Sequence, residues 1–160
     1  MKKVIFAISI VWLCIINLAF AIEPSKSVIQ NEIPLSAREA LEGSDQLVLL
    51  SLNPEGGVFT KNFHGYQIQG KTVVKDPNVK KEIVDAFEQA VKESNGIGAR
   101  CFNPRHGIRV VDESRIIDFL ICFECLQVEV YVDDKKSGHF FITALPQTLF
   151  DKILHEAKIL

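Results

Sequence analysis

Apolar positions follow three spacings along this chain, and each predicts a different element. The first is unbroken: from Val4 to Phe20 only Ser9 and Asn17 interrupt a run of apolar residues. Lys2 and Lys3 precede the run and Ala19-Phe20-Ala21 ends it, the layout of a secretory signal peptide over residues 1–21 that is cut after Ala21. The run is close to spanning length, so an uncleaved anchor is the alternative; Asn17 and the small residues at the cut favour removal. Cys14 follows no Leu-small-small triplet, which argues against a lipid-modified cysteine. Residues 22–34, "IEPSKSVIQNEIP", have no period and carry two prolines, which predicts a flexible leader.

The second spacing is helical. "SAREALEG" offers Ser36 as N-cap and Glu39 at the capping-box position, predicting a short helix that ends near Gly43. Asp76-Pro77 opens a longer one, where Val79, Ile83, Phe87 and Val91 recur every four residues and Val84 and Ala90 widen the stripe. Lys80, Lys81, Asp85, Glu88 and Lys92 face outward as a solvated surface, and "SNG" at 94–96 stops the helix. Pro146 starts a last amphipathic helix, with Leu149, Phe150, Ile153, Leu154 and Ala157 inward.

The third spacing is that of strands: "QLVLLSLNP", "YQIQGKTVV", "GIRVV", "RIIDFLICFECLQVEVYV" and, after a turn at "DDKKSG", "HFFIT". The order α-β-β-α-β-β-β-α predicts one α+β domain over residues 35–160. Its sheet is mainly antiparallel, with about five to six strands and the helices on one face. The run from Ile116 to Val132 is far longer than an ordinary strand. Its apolar residues are odd-numbered upstream (Ile117, Phe119, Ile121, Phe123) and even-numbered downstream (Leu126, Val128, Val130, Val132). A slip of one residue between Phe123 and Leu126 requires a β-bulge or a tight turn there. That brings Cys122 and Cys125 to one face, beside Asp118 and Glu124 upstream and Gln127, Glu129 and Tyr131 downstream. The alternative is a strand buried on both faces, with the cysteines as small core residues.

Composition adds two constraints. Without Lys2 and Lys3, sixteen of the 18 Lys+Arg face 20 Asp+Glu, and no basic stripe appears, which disfavours nucleic acid as a partner. After signal removal no membrane contact is expected, and a protein or small-molecule ligand stays unspecified. A chain of this size has one ordinary core and does not need disulfides to fold. Three cysteines would remain after cleavage, Cys101, Cys122 and Cys125. In the periplasm or outside the cell an odd number implies one disulfide plus a free thiol, an intermolecular bridge, or a metal.

Those cysteines and the string "CFNPRHG" are the candidate chemistry. Cys101, His106, Cys122 and Cys125 supply a Cys3His set sufficient for zinc, the one cofactor considered. Their spacing, C-x4-H-x15-C-x2-C, matches no familiar zinc module. A disulfide from Cys101 to Cys122 or Cys125 is the ordinary fate of exported cysteines. Arg105-His106-Gly107-Ile108-Arg109 resembles the active-site string of histidine phosphatases, in which the histidine attacks phosphorus and the arginines hold its oxygens. That family places the string after a buried first strand and needs a long α/β core behind it, and here "ARCFNP" precedes it near the end of the chain. Thiol oxidoreductases put Cys-x-x-Cys at a helix N-terminus. Here it lies in β-structure with Glu124 between the thiols, which disfavours redox catalysis. His64, His139 and His155 are expected to be structural.

"FHGYQIQGKTVV", "CFNPRHGIRV", "DFLICFECLQVEVY" and "PQTLFDKILHEAKIL" together resemble a group of small exported bacterial proteins of unassigned function. These carry a Cys-x-x-Pro-Arg-His string followed by a strand with Cys-[Phe/Tyr]-x-Cys. The resemblance spans about residues 46–160 and implies that Cys101, Pro104, Arg105, His106, Cys122 and Cys125 belong to one pattern. The expected function is a structural or binding module with a Cys/His cluster held by a disulfide or a metal. Phosphoryl transfer through His106, Arg105 and Arg109, or thiol redox chemistry, are the alternatives.

Overall fold

The computed structural model describes residues 31–112 and 115–160; the expected signal segment and most of the expected leader lie outside them. In chain order the elements are α1 (Leu35–Gly43), β1 (Leu47–Gly56), β2 (Asn62–Phe63), β3 (Tyr66–Val74), α2 (Pro77–Lys92), β4 (His106–Asp112), β5 (Arg115–Cys122), β6 (Gln127–Val132), β7 (Lys135–Phe141) and α3 (Gln147–Glu156). The fold is α+β, as the sequence predicts. The strands form one antiparallel sheet in the order β2-β3-β1-β4-β5-β6-β7. Among the described residues no helix is long and apolar enough to cross a membrane.

Seven strands stand where five to six were expected, for two local reasons. The Ile116–Val132 run is a hairpin: β5 and β6 flank a four-residue turn, Phe123 to Leu126, with Leu126 at φ 55. The predicted phase slip is therefore a tight turn, not a bulge. Between the first two predicted strands, the stretch before Tyr66 holds the short strand β2, because His64 and Gly65 both have positive φ, 52 and 89. Such a two-residue turn suits the twist of paired strands, and here it pairs Phe63 with Tyr66. Asp133 and Asp134, at φ 48 and 62, turn β6 into β7 in the same way.

Two helix details also differ from expectation. Ser36 does not cap α1; the helix starts two residues earlier, and the Pro34 carbonyl accepts from the Ala37 and Arg38 N–H groups. Ala157 is exposed at the end of α3, and Ile159 packs back in its place, over Gly70 where a Cβ would clash. The long helix follows the prediction. Asp76 accepts from the Asn78 N–H at 2.8 Å, Pro77 occupies the first turn, and Ile83, Val84, Phe87, Ala90 and Val91 are buried.

The two faces of the sheet hold different things. Leu47, Leu49, Ile108, Val110, Ile117, Phe119, Ile121, Val128 and Val130 join the buried residues of all three helices in one apolar core. The other face carries a smaller cluster of Leu50, Leu52, Leu120 and Phe63. Phe63 gets there because the β2 arm folds back across the sheet and lies on Gly107, where a Cβ would stand 2.8 Å from its ring.

Candidate functional site

The residues singled out by sequence fall into three separate places. The first is a corner formed where the loop between α2 and β4 lies on the β5–β6 turn. Cys122 ends β5 and Cys125 sits in the turn; their sulfurs are bonded and both residues are fully buried. Cys101 is a free, exposed thiol with its Sγ 3.4 Å from Cys125 Sγ. The expected disulfide from Cys101 to Cys122 or Cys125 is thus replaced by one between Cys122 and Cys125. The turn itself folds those two together, whereas Cys101 arrives on a different segment.

That segment is held closely. The Ala99 N–H donates to the Cys125 carbonyl at 3.0 Å, and the Gln127 amide donates to the Ala99 carbonyl. A Cβ at Gly98 would lie 2.7 Å from the Cys125 carbonyl oxygen, so only glycine permits this approach. Backbone donors point at both bridged sulfurs: Asn103 N–H at Cys125 Sγ (3.4 Å) and Cys125 N–H at Cys122 Sγ (3.1 Å). At the rim Arg105 pairs with Glu124 at 3.4 Å.

His106 belongs to the second place, on the helical side. It is buried between Phe123 and Phe150, and its Nε2 bonds to Asp151 Oδ1 at 2.8 Å. Burial pushes its pKa down, against the pull of Asp151. The Nδ1 atom has no hydrogen-bond partner among the described residues. The neutral ring fits with Nε2–H donating to Asp151, and a proton on Nδ1 would be buried unpaired. The Cys3His set is therefore not gathered into one ligand sphere: two of its sulfurs are bonded to each other, and its histidine is turned to Asp151. The low pKa has a consequence for folding. Below the ordinary histidine value of 6.5 the unfolded chain takes up a proton that the folded chain resists, so stability falls as pH drops. Urea midpoints should decline more between pH 7.5 and 5.5 in the native protein than in His106→Phe.

Arg109 marks the third place, on the opposite face. Three residues apart on a regular strand, His106 and Arg109 point to opposite sides of the sheet. Arg109 grips Asp118 with two hydrogen bonds of 2.7 and 2.6 Å, and its guanidinium lies over the Phe63 ring, 5.2 Å from the centroid. His64 adds a 2.7 Å bond to Asp118 and stacks on Tyr131 at 3.8 Å. Asp118 is only 1% exposed. Burial alone would raise its pKa, but the hydrogen bonds from Arg109 and His64 outweigh that and hold it below the ordinary value. The Tyr131 hydroxyl donates to Glu129, and burial together with that carboxylate pushes its pKa up to about 12.

The phosphatase-like string is therefore split. His106 faces Asp151, Arg105 faces Glu124 and Arg109 faces Asp118, and no point in space receives all three. Sequence reading placed Asp118 on a strand face and took His64 as structural, without joining them. The His-Gly turn that throws His64 back over the sheet was the signal available. His64, Asp118 and Asp134 lie at metal-ligating spacing, but Arg109 already takes both Asp118 oxygens and sets a fixed positive charge beside them. A shallow hollow lined by Asn31, Arg38, Glu88 and Lys92 touches none of these places. No known protein family, no curated protein and no solved structure matches this chain.

Proposed function

We propose that this chain is an exported binding module whose working surface is the cysteine corner. The carrying observation is that "CFNPRHG" and "CFEC" meet there, through Cys101 against Cys125 and Arg105 against Glu124. The resemblance to small exported proteins singles out the same two strings. The signal-like start and the odd cysteine count support export. The scatter of His106, Arg105 and Arg109 over three places speaks against phosphoryl transfer.

Stapling alone accounts poorly for the corner. A bridge closing the four-residue loop 122–125 restricts the unfolded chain by only about 2 kcal/mol, whereas Cys101–Cys125 would contribute about 3.5. The pairing present is the weaker staple, and it leaves a thiol exposed beside it.

A photo-crosslinking residue placed at Ile97 or Arg100, both exposed on the segment that carries Cys101, tests the surface in the exported full chain. The same residue at Glu82, on the solvent face of α2, is the control. Adducts of defined mass at the corner and none at Glu82 are expected. Equal labelling at all three positions, or none at the corner, would remove the reading.

A further inference from the structure

We propose that the three cysteines form a thiol–disulfide exchange centre. Cys101 is the entering nucleophile, Cys125 the sulfur it attacks and Cys122 the leaving thiol, and the substrate class is a polypeptide with paired thiols. The proposal rests on the reading of the corner as the working surface and assigns that surface its chemistry.

The separation of the sulfurs suits the exchange. Reacting atoms held about 3–3.5 Å apart on fixed supports gain most of the benefit of proximity. The 3.4 Å between Cys101 Sγ and Cys125 Sγ lies within that range, and the bonds of Ala99 and Gln127 fix the loop that carries Cys101. Exposure divides the labour: the bridge is fully buried and closed to a bulky partner, while Cys101 is open to solvent and touches it. Any polypeptide thiol that exchanges with this bridge therefore passes through Cys101.

The electrostatics support the direction. Departure of Cys122 requires a place for negative charge, and the Cys125 N–H aims at Cys122 Sγ from 3.1 Å. A helix N-terminus supplies such donors in most Cys-x-x-Cys sites; here the turn backbone supplies them. Glu124, whose charge would oppose ionisation, is turned outward onto Arg105.

The steps balance. The Cys101 thiolate forms a bond to Cys125 Sγ as the Cys122–Cys125 bond breaks, and the electron pair leaves on Cys122 Sγ. That sulfur takes up the proton Cys101 gave up, so no net oxidation occurs. A partner thiolate then attacks exposed Cys101 Sγ, releasing Cys125 as a thiol and forming a mixed disulfide. The partner's second thiol attacks its own sulfur in that bond and frees Cys101. The partner has become a disulfide, and Cys122 and Cys125 have become a dithiol. A low-molecular-weight disulfide reverses the sequence and restores the bridge.

The test uses the full chain and a reduced two-cysteine peptide, quenched with a thiol-blocking reagent and mapped by mass. Native protein should oxidise the peptide with loss of the Cys122–Cys125 link. Cys101→Ser should slow this by on the order of a hundredfold with the fold unchanged by circular dichroism. Cys122→Ser, or Cys122→Ala should the first fail to fold, should yield a Cys101–Cys125 link with oxidised glutathione. Exchange by Cys101→Ser at the native rate, or Cys122 variants that fold and never link Cys101 to Cys125, would overturn the proposal. Corner crosslinks with native-rate exchange in Cys101→Ser would sink the chemistry alone. Exchange through Cys101 without corner crosslinks would sink the surface reading alone.

Discussion

Replacing Phe87 by alanine should cost about 3–5 kcal/mol of folding stability, the range for a large aromatic deleted from a packed core. Phe87 is fully buried on α2 and makes edge contacts with Phe119 of β5 and Phe140 of β7, both at 5.8 Å between ring centroids. It also stacks on Phe150 of α3 at 6.4 Å. One side chain thus joins two helices to two strands, and neighbours on both layers would have to move to fill the space. Urea denaturation followed by far-ultraviolet circular dichroism measures the loss. Phe87→Leu should recover much of it, because it refills part of the volume. A loss below 1 kcal/mol in Phe87→Ala would mean that the helices do not pack on the sheet through this residue.

Asp118→Asn should cost about 2–4 kcal/mol, because it leaves Arg109 and His64 facing each other without the carboxylate between them. Breaking a buried ion pair costs about 3–5 kcal/mol; Arg109 is 38% exposed, and solvent returns part of that. The damage should be local first. The paired Phe63 and Tyr66 amides of the β2–β3 hairpin should exchange with solvent faster while the core beneath α2 stays protected. The pH dependence has a definite sign. Asp118 has a folded pKa below its ordinary 3.8, so its contribution is full above that value and is lost as pH falls through the folded one. Native protein and Asp118→Asn should therefore approach each other in stability in strong acid.

How much of this was legible depends on which residues carry the information. The long helix was readable because Asp76, Pro77 and the Val79–Val91 stripe give independent signals for one element. The slip between Phe123 and Leu126 was readable because a face change in a strand has few physical causes. Whether it was a bulge or a turn was not, since Leu126 carries no glycine-like mark at its positive φ. The α1 start differs from the expected one because Ser36 and Glu39 satisfy a local pattern while Pro34 offers its carbonyl two residues earlier. At the candidate site the limit was distance along the chain. Asp118 lies 54 residues from His64, and Asp151 lies 45 from His106. No local spacing announces such pairs. The split of His106 from Arg109 was accessible in principle: once the string lies in a strand, positions three apart cannot share a face.

The pairing of the cysteines is the claim on which the rest depends, and one measurement reaches it directly. Native protein would be treated with a thiol-blocking reagent before unfolding, digested without reduction and mapped by mass. The account predicts a blocked Cys101 and a peptide linked through Cys122 and Cys125 as the dominant species. Three blocked cysteines, or a resting protein linked mainly from Cys101 to either partner, would contradict it.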